Sequence, residues 1–182
     1  HAELKRKLEA IPGVQRAAAM QGLPPFRQVN ANDTDFEHYT FTPGSNDPIE
    51  NVDYYQAVTA DYFDAMGIAL VNGRLFNEGD ALGGPVVVVN EALVKRFYKD
   101  VNPIGMRVNP SFGPTPVWFT VVGVVKDVKQ GGLENPPGTE LYFLYDQLPR
   151  IAGFAPTQMN VVLKSTRPLE ALAPSIRQAV RE

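Results

Sequence analysis

The 182-residue chain contains no cysteine, which excludes disulfides and thiolate-ligated metal sites and fits a cytoplasm or a Gram-negative periplasm equally well. Histidine is nearly as scarce. Only His1 and His38 supply imidazole, too few for a His-based metal site or a Ser-His-Asp triad. Four serines, Ser45, Ser111, Ser165 and Ser175, form neither a G-x-S-x-G elbow nor an S-x-x-K pair, so nucleophilic catalysis has no candidate. Glycines 79, 83, 84, 131 and 132 match neither phosphate-cradling pattern. Long apolar runs are missing too. The longest, Pro85 to Val89, is about five residues against the roughly 18 needed to cross a bilayer, and the first residues lack a signal-peptide core. With a net charge of -3, a pI near 5.4 and no window interleaving Lys and Arg with aromatics, the chain has no footprint for nucleic acid.

What is present is an ordinary globular composition, 44% hydrophobic and 20% charged, sufficient for a real core. Leu4, Leu8 and Ile11 share one face of an opening helix that Pro12 and Gly13 end. Val14 to Met20 reads as a strand, although its alanine run also suits a helix. From Gln21 to Glu50 the chain is dense in Pro, Asn, Asp and Gly, a long connection holding at most a short strand at Glu37 to Phe41. Val52 to Val58 is a strand. Thr59 is an acceptable cap for a helix from Ala60 to Met66 that buries Tyr62, Phe63 and Met66 and stops at Gly67. Ile68 to Val71 is extended and Asn72-Gly73 is a turn. "PVVVVN" is a strand covered on both faces, Asn90 caps the helix "EALVKRFY", and "VWFTVVGVVKDV" is a strand with a bulge or close contact at Gly123. "TELYFLY" and "QMNVVLKS" are further strands. Leu169, Leu172, Ile176 and Val180 line one face of a last helix with Pro168 at its first position. The order predicts an α+β fold with a mixed sheet.

Each residue that could carry chemistry has a plainer structural reading. His38 lacks partners for a catalytic role. The acidic "NANDTDFE" lacks the Gly and Glu of a calcium loop and reads as a solvated loop, and the "NDT" sequon within it is common by chance. Arg74 is better placed to pin its own loop through Glu78 or Asp80 than to bind an anion. Trp118, Phe119, Tyr142, Phe143 and Tyr145 suit core or partner contact better than a pocket. His1 is no initiator and the sequence stops inside a helix, so the chain reads as a piece of a longer protein.

In order, "VTADYFDAMGIALVNGRLFNEGD", "VVVVNEALVKRFYKDVNPIGMRV" and "WFTVVGVVKDVKQGGL" followed by "ELYFLY" resemble the periplasmic core domain of MacB/FtsX-type ABC transporter permeases, particularly the stand-alone permeases of bacteria such as Acidobacteria. The likeness is strong over residues 52 to 147 and looser at both flanks. It implies a scaffold in place of a catalytic site, with structural motif residues Tyr62, Phe63, Met66, Gly67, Gly73, Arg74, Phe76, Asn90, Glu91, Pro103, Gly105 and Gly123 and with no cofactor or metal. It implies two subdomains, a porter-like α/β unit from residues 1-60 and 151-182 and an inserted β-rich unit from 61-150. The implied whole is an inner-membrane permease with this domain in the periplasm. Its partners would be its own transmembrane helices, a separate ABC ATPase, a second permease copy and a periplasmic adaptor or cargo. The domain would carry ATP-driven helix movement to that cargo or partner. An extracytoplasmic ligand sensor is the alternative, which an enclosed apolar cavity with convergent polar groups would favour.

Overall fold

Four consecutive valines, Val86 to Val89, explain the centre of the fold. They belong to strand β7 (Val86–Asn90), every residue of which is buried. Alternation sends Val87 and Val89 into one hydrophobic core and Val86 and Val88 into another on the opposite face of the sheet. The computed structural model describes residues 2–99 and 101–181. It gives the order α1 (Ala2–Glu9), β1 (Val14–Met20), β2 (Asn32–Asp33), β3 (Asp35–Phe36), β4 (Asn51–Val52), β5 (Tyr54–Val58), α2 (Tyr62–Met66), β6 (Leu70–Gly73), β7, α3 (Glu91–Leu93), β8 (Arg107–Asn109), β9 (Phe119–Val125), β10 (Glu140–Leu144), α4 (Leu148–Ile151), β11 (Asn160–Ser165) and α5 (Leu169–Arg181).

Nine strands make one mixed sheet in the order β11-β1-β5-β10-β7-β9-β8-β3, with β6 also against β9; β2 and β4 pair separately. The β5/β10 and β7/β9 pairs are parallel and the others antiparallel. β10 alternates like β7, with Leu141 and Phe143 in the first core and Tyr142 and Leu144 in the second. β9 breaks its alternation. Its register against β7 shifts between Val121 and Gly123, so Phe119, Val121 and Val124 face the first core and Val125 the second. The third core, Leu8, Ile11, Ala17 and Leu172, lies beneath α1 and α5 on the outer strands. β1 is registered with β11 from Val14 to Met20 but meets β5 only at Met20–Val58, whereas β5 is registered over its whole length with β10.

The mixed α+β architecture is thus the one the element order predicts, and several local readings change. The long connection pairs at Asn32–Asp33 and Asp35–Phe36 in place of Glu37 to Phe41, with the Phe36 ring 4.3 Å from that of Phe97, and the expected strand from Val52 to Val58 is broken at Asp53 between β4 and β5. Thr59 does not cap α2: its hydroxyl accepts from the Ala19 backbone N–H, and Asp61 stands at the N-cap without a side-chain bond. Met66 is half-buried, and Ala65 is buried beside Tyr62 and Phe63. Asn72 and Gly73 continue β6 opposite Val124 and Gly123 where a turn was expected. On α5 only Leu172 is buried; Ile176 is half-buried, Leu169 and Val180 are exposed, and Pro168 precedes the first helical residue. The helix after Asn90 keeps α geometry only to Leu93 and then widens into a π turn over Val94–Tyr98. His1 lies outside the described residues.

Candidate functional site

The motif residues form a continuous joint between α2, β6, β7 and β9. Tyr62 and Phe63 are fully buried and stack edge-on to one another at 5.3 Å; Phe63 meets Tyr142 at 5.0 Å and Phe76 at 6.0 Å. Gly67 ends α2 in the left-handed region, φ 68° and ψ 29°, with open space where a Cβ would stand, so conformation and not crowding selects glycine there. Two other glycines answer to crowding. A Cβ on Gly73 would stand 2.3 Å from the Val122 carbonyl oxygen, and one on Gly123 would stand 2.1 Å from that of Arg74. The β6/β9 pair therefore closes only because both partners at its tightest point lack side chains.

Arg74 then leaves the strand and its guanidinium donates to both carboxylate oxygens of Asp80, at 2.7 and 2.8 Å. Asp80 also accepts from the Asn77 N–H at 2.9 Å, completing a capping box over the 3-10 turn Glu78–Ala81. Burial pushes the Asp80 carboxyl up, but the Arg74 bond and the Asn77 N–H outweigh it and hold the pKa below the usual carboxylate value. Asp80, not Glu78, is the partner.

Asn90 is the most fully used side chain of the joint. Its Oδ1 accepts from the Leu93 N–H at 3.1 Å and the Glu140 N–H at 2.9 Å, while its Nδ2 donates to Asp127 Oδ1 and the Gly138 carbonyl, both at 2.8 Å. One residue thus caps a helix and ties the head of β10 to the end of β7. Asn90→Ala leaves buried N–H and C=O groups without partners and is expected to cost about 3 kcal/mol, read as a fall in urea midpoint at unchanged slope. Glu91 takes the exposed side of the same turn, with Lys126 Nζ at 2.9 Å. Pro103 is buried and its carbonyl accepts from the Met106 N–H, while Gly105, at φ 86°, donates its N–H to Val121.

Beside Asn90 lies a group that the sequence reading overlooks. Glu140 is fully buried. Gln130 Nε2 and the Tyr142 hydroxyl each donate to its carboxylate at 2.7 Å, and Arg27 Nη1 stands 3.5 Å away. Burial pushes its pKa up to about 7, against the bonds from Tyr142 and Gln130 and the charge of Arg27. The available signal was a lone carboxylate opening the otherwise apolar strand "ELYFL". Arg27 and Gln130 belong to the segments on either side, which are joined by the Arg27 N–H to Gln130 carbonyl bond at 2.9 Å.

These arrangements organise structure. His38 Nε2 is 3.1 Å from the Phe97 carbonyl, and its ring stacks on Tyr98 at 4.1 Å. Among the described residues no group of three metal-ligating side chains gathers. Asp35 of the acidic loop accepts from Asn109 Nδ2 at 2.7 Å, and Phe119, Tyr142 and Phe143 are core. A cavity of about 300 Å3 opens between α1 and β1, floored by Ala17 and Ala19. Its Lys5 is paired with Asp61 at 2.5 Å, and its Glu78 and Asp146 are exposed.

The family model described as MacB-like periplasmic core domain matches residues 2–179. Over 81 residues, 44% of this chain and 12% of the relative, the sequence is 40% identical to the macrolide export ATP-binding/permease protein MacB of Aggregatibacter actinomycetemcomitans. It is 34% identical over 132 residues, 67% of this chain and 31% of the relative, to the uncharacterized ABC transporter permease YvrN of Bacillus subtilis. The chain therefore spans less than a third of either relative. Among solved structures, the periplasmic region of MacB from Actinobacillus actinomycetemcomitans aligns with 99% of this chain and 72% of its own at a TM-score of 0.66 and 20% identity. The extracellular domain of the transporter YknZ from Gram-positive bacteria aligns with 98% and 79% at 0.63 and 17%. At those identities the likeness establishes the fold.

Proposed function

The chain belongs to the MacB-like periplasmic core domain family, and from that premise we propose that it works as the non-catalytic extracytoplasmic domain of an ABC transporter permease. In this reading ATP is hydrolysed on a separate ATPase domain or subunit. Movement of the permease's membrane helices, in a pair of permease copies, reaches a periplasmic cargo or adaptor through this domain. The observation that carries the reading is the family match, which spans residues 2–179. The joint around Asn90, Gly73 and Gly123 supports it, since its hydrogen bonds and close backbone contacts suit a body that passes on displacement without absorbing it.

The proposal includes a division of labour between two units. The outer strands β1 and β11 with α1 and α5 form the porter-like unit built from both chain ends, and the strands around β7 form the inserted one. The proposed boundaries are residues 1-60 and 151-182 for the porter-like unit and 61-150 for the inserted one; the single registered position between β1 and β5, Met20–Val58, supports a seam near the first of them.

The absence of cysteine provides the test. Leu82 is 87% exposed, and a cysteine in its place, with any others in the full-length protein removed, reports the side of the membrane. The expected result is labelling by a membrane-impermeant maleimide in spheroplasts, with the protein retained in carbonate-washed membranes. Labelling only after lysis, or release by carbonate, would contradict the proposal.

A further inference from the structure

We propose that Asn72 is a site of spontaneous deamidation, converted with time to aspartate and isoaspartate through a succinimide ring closed on the Gly73 nitrogen. It is the only asparagine in the sequence that precedes glycine. Asn102, Asn109 and Asn135 precede proline, whose nitrogen carries no hydrogen to lose, and Asn51 and Asn160 precede valine, whose branched side chain crowds the approach.

The fold brings the reacting groups together. The Gly73 N–H donates to Asn72 Oδ1 at 2.8 Å, which places Cγ within about 4 Å of the attacking nitrogen, because a carbonyl bond is only about 1.2 Å long. The sheet does not hold that N–H. It is the next amide, Arg74, that donates to β9, to the Val122 carbonyl at 2.8 Å, and antiparallel alternation turns the Gly73 amide to the other side, where β6 has no strand beside it among the described residues. All four residues of β6 are exposed, so water and hydroxide reach both groups. The Asn72 amide nitrogen, which must leave, donates to Asn102 Oδ1 at 3.2 Å, a long bond between exposed residues.

In the reaction hydroxide takes the Gly73 amide proton, the nitrogen bonds to Asn72 Cγ, and the Cγ–Nδ2 bond breaks, Nδ2 leaving as ammonia with a proton from water. Water then opens the ring at either carbonyl. Addition at Cγ breaks the new N–Cγ bond and gives aspartate. Addition at the main-chain carbonyl of residue 72 breaks its bond to the Gly73 nitrogen, so the chain runs on through Cγ as isoaspartate, longer by one methylene. Nothing is oxidised or reduced. Aspartate adds only a charge at the surface. Isoaspartate lengthens the backbone immediately before the residue whose missing Cβ lets β6 close on the Val122 carbonyl, and so loosens the joint.

The test warms the 182-residue chain at neutral pH for several days beside a free peptide "LVNGRL", and peptide mapping by mass spectrometry follows every asparagine. Residue 72 is expected to exchange its amide for a carboxyl group before any other asparagine does, at a rate within about tenfold of the free peptide. Isoaspartate is identified by its resistance to a protease that cuts before aspartate. Isolated by ion exchange, the isoaspartate form should melt below the parent, whereas Asn72→Asp, which has the charge without the longer backbone, should melt like it. Another asparagine reacting first, Asn72 intact when the free peptide is consumed, or an isoaspartate form that melts like the parent overturns the proposal. The measurement asks nothing of transport, so its failure is distinct from failure of the permease reading.

Discussion

Gly73→Val is expected to lower the stability of the chain by about 4 kcal/mol or more, a large share of the roughly 5–15 kcal/mol by which a domain is folded. Two costs combine. Gly73 sits at φ 73°, a region that β-branched side chains avoid, which accounts for about 1–3 kcal/mol. Its Cβ would also fall 2.3 Å from the Val122 carbonyl oxygen and 2.7 Å from Ile104 Cδ1. The isoleucine can move but the carbonyl cannot, because it accepts from the Arg74 N–H at 2.8 Å. Forcing it aside breaks that bond and shifts the strand that carries the bulge, for about 1–3 kcal/mol more. Chemical denaturation of the variant against the parent measures the effect. Gly67→Ala is the control: it meets the left-handed conformation without the clash and should cost only about 1 kcal/mol. If Gly73→Val melts like the parent, the β6/β9 closure described above is wrong.

Glu140 gives the second large effect, with an unusual sign. Its folded pKa of about 7 lies above the ordinary 4.5, so the folded state holds its proton more tightly than the unfolded state does. The resulting stabilisation is complete below about pH 4.5 and is lost as pH rises through about 7, a change of about 3 kcal/mol at about 1.4 kcal/mol per pH unit. The paired carboxylates Asp80, Glu37 and Asp64 have lowered values and work in the opposite sense, but below the ordinary carboxylate range and outside that window. Denaturation at about pH 5 and about pH 8 should therefore find the chain more stable at the lower pH. Glu140→Gln keeps a polar group between Gln130 and Tyr142 and should flatten the difference. A slope of the opposite sign, or one that survives Glu140→Gln, would place the titrating group elsewhere.

Much of this architecture could be read from local pattern, and what could not has identifiable causes. The valine strand, the Asn90 cap and the stop at Gly67 are decided by residues adjacent in sequence, which is why their chemistry is visible without coordinates. Gly73 looked like a turn because "NG" is a turn signal, whereas its φ is used inside a strand to admit the backbone of β9. The π turn could not be seen because Leu93 and Phe97 satisfy α spacing equally well. Glu140 was invisible as a site because Arg27 approaches from a segment far away in sequence and Gln130 reaches back across a breaker-rich loop. Function depended on the resemblance, since a scaffold announces no nucleophile, base or metal ligand.

The proposed role of this domain is to pass on motion started by ATP. It is tested most directly by double electron–electron resonance on the full-length permease reconstituted with its ATPase, spin-labelled through a cysteine at the exposed Leu82 position in each copy. A defined distance between copies that shifts on ATP binding and returns after hydrolysis is expected. A distribution that is the same with ATP, with ADP and without nucleotide would contradict it.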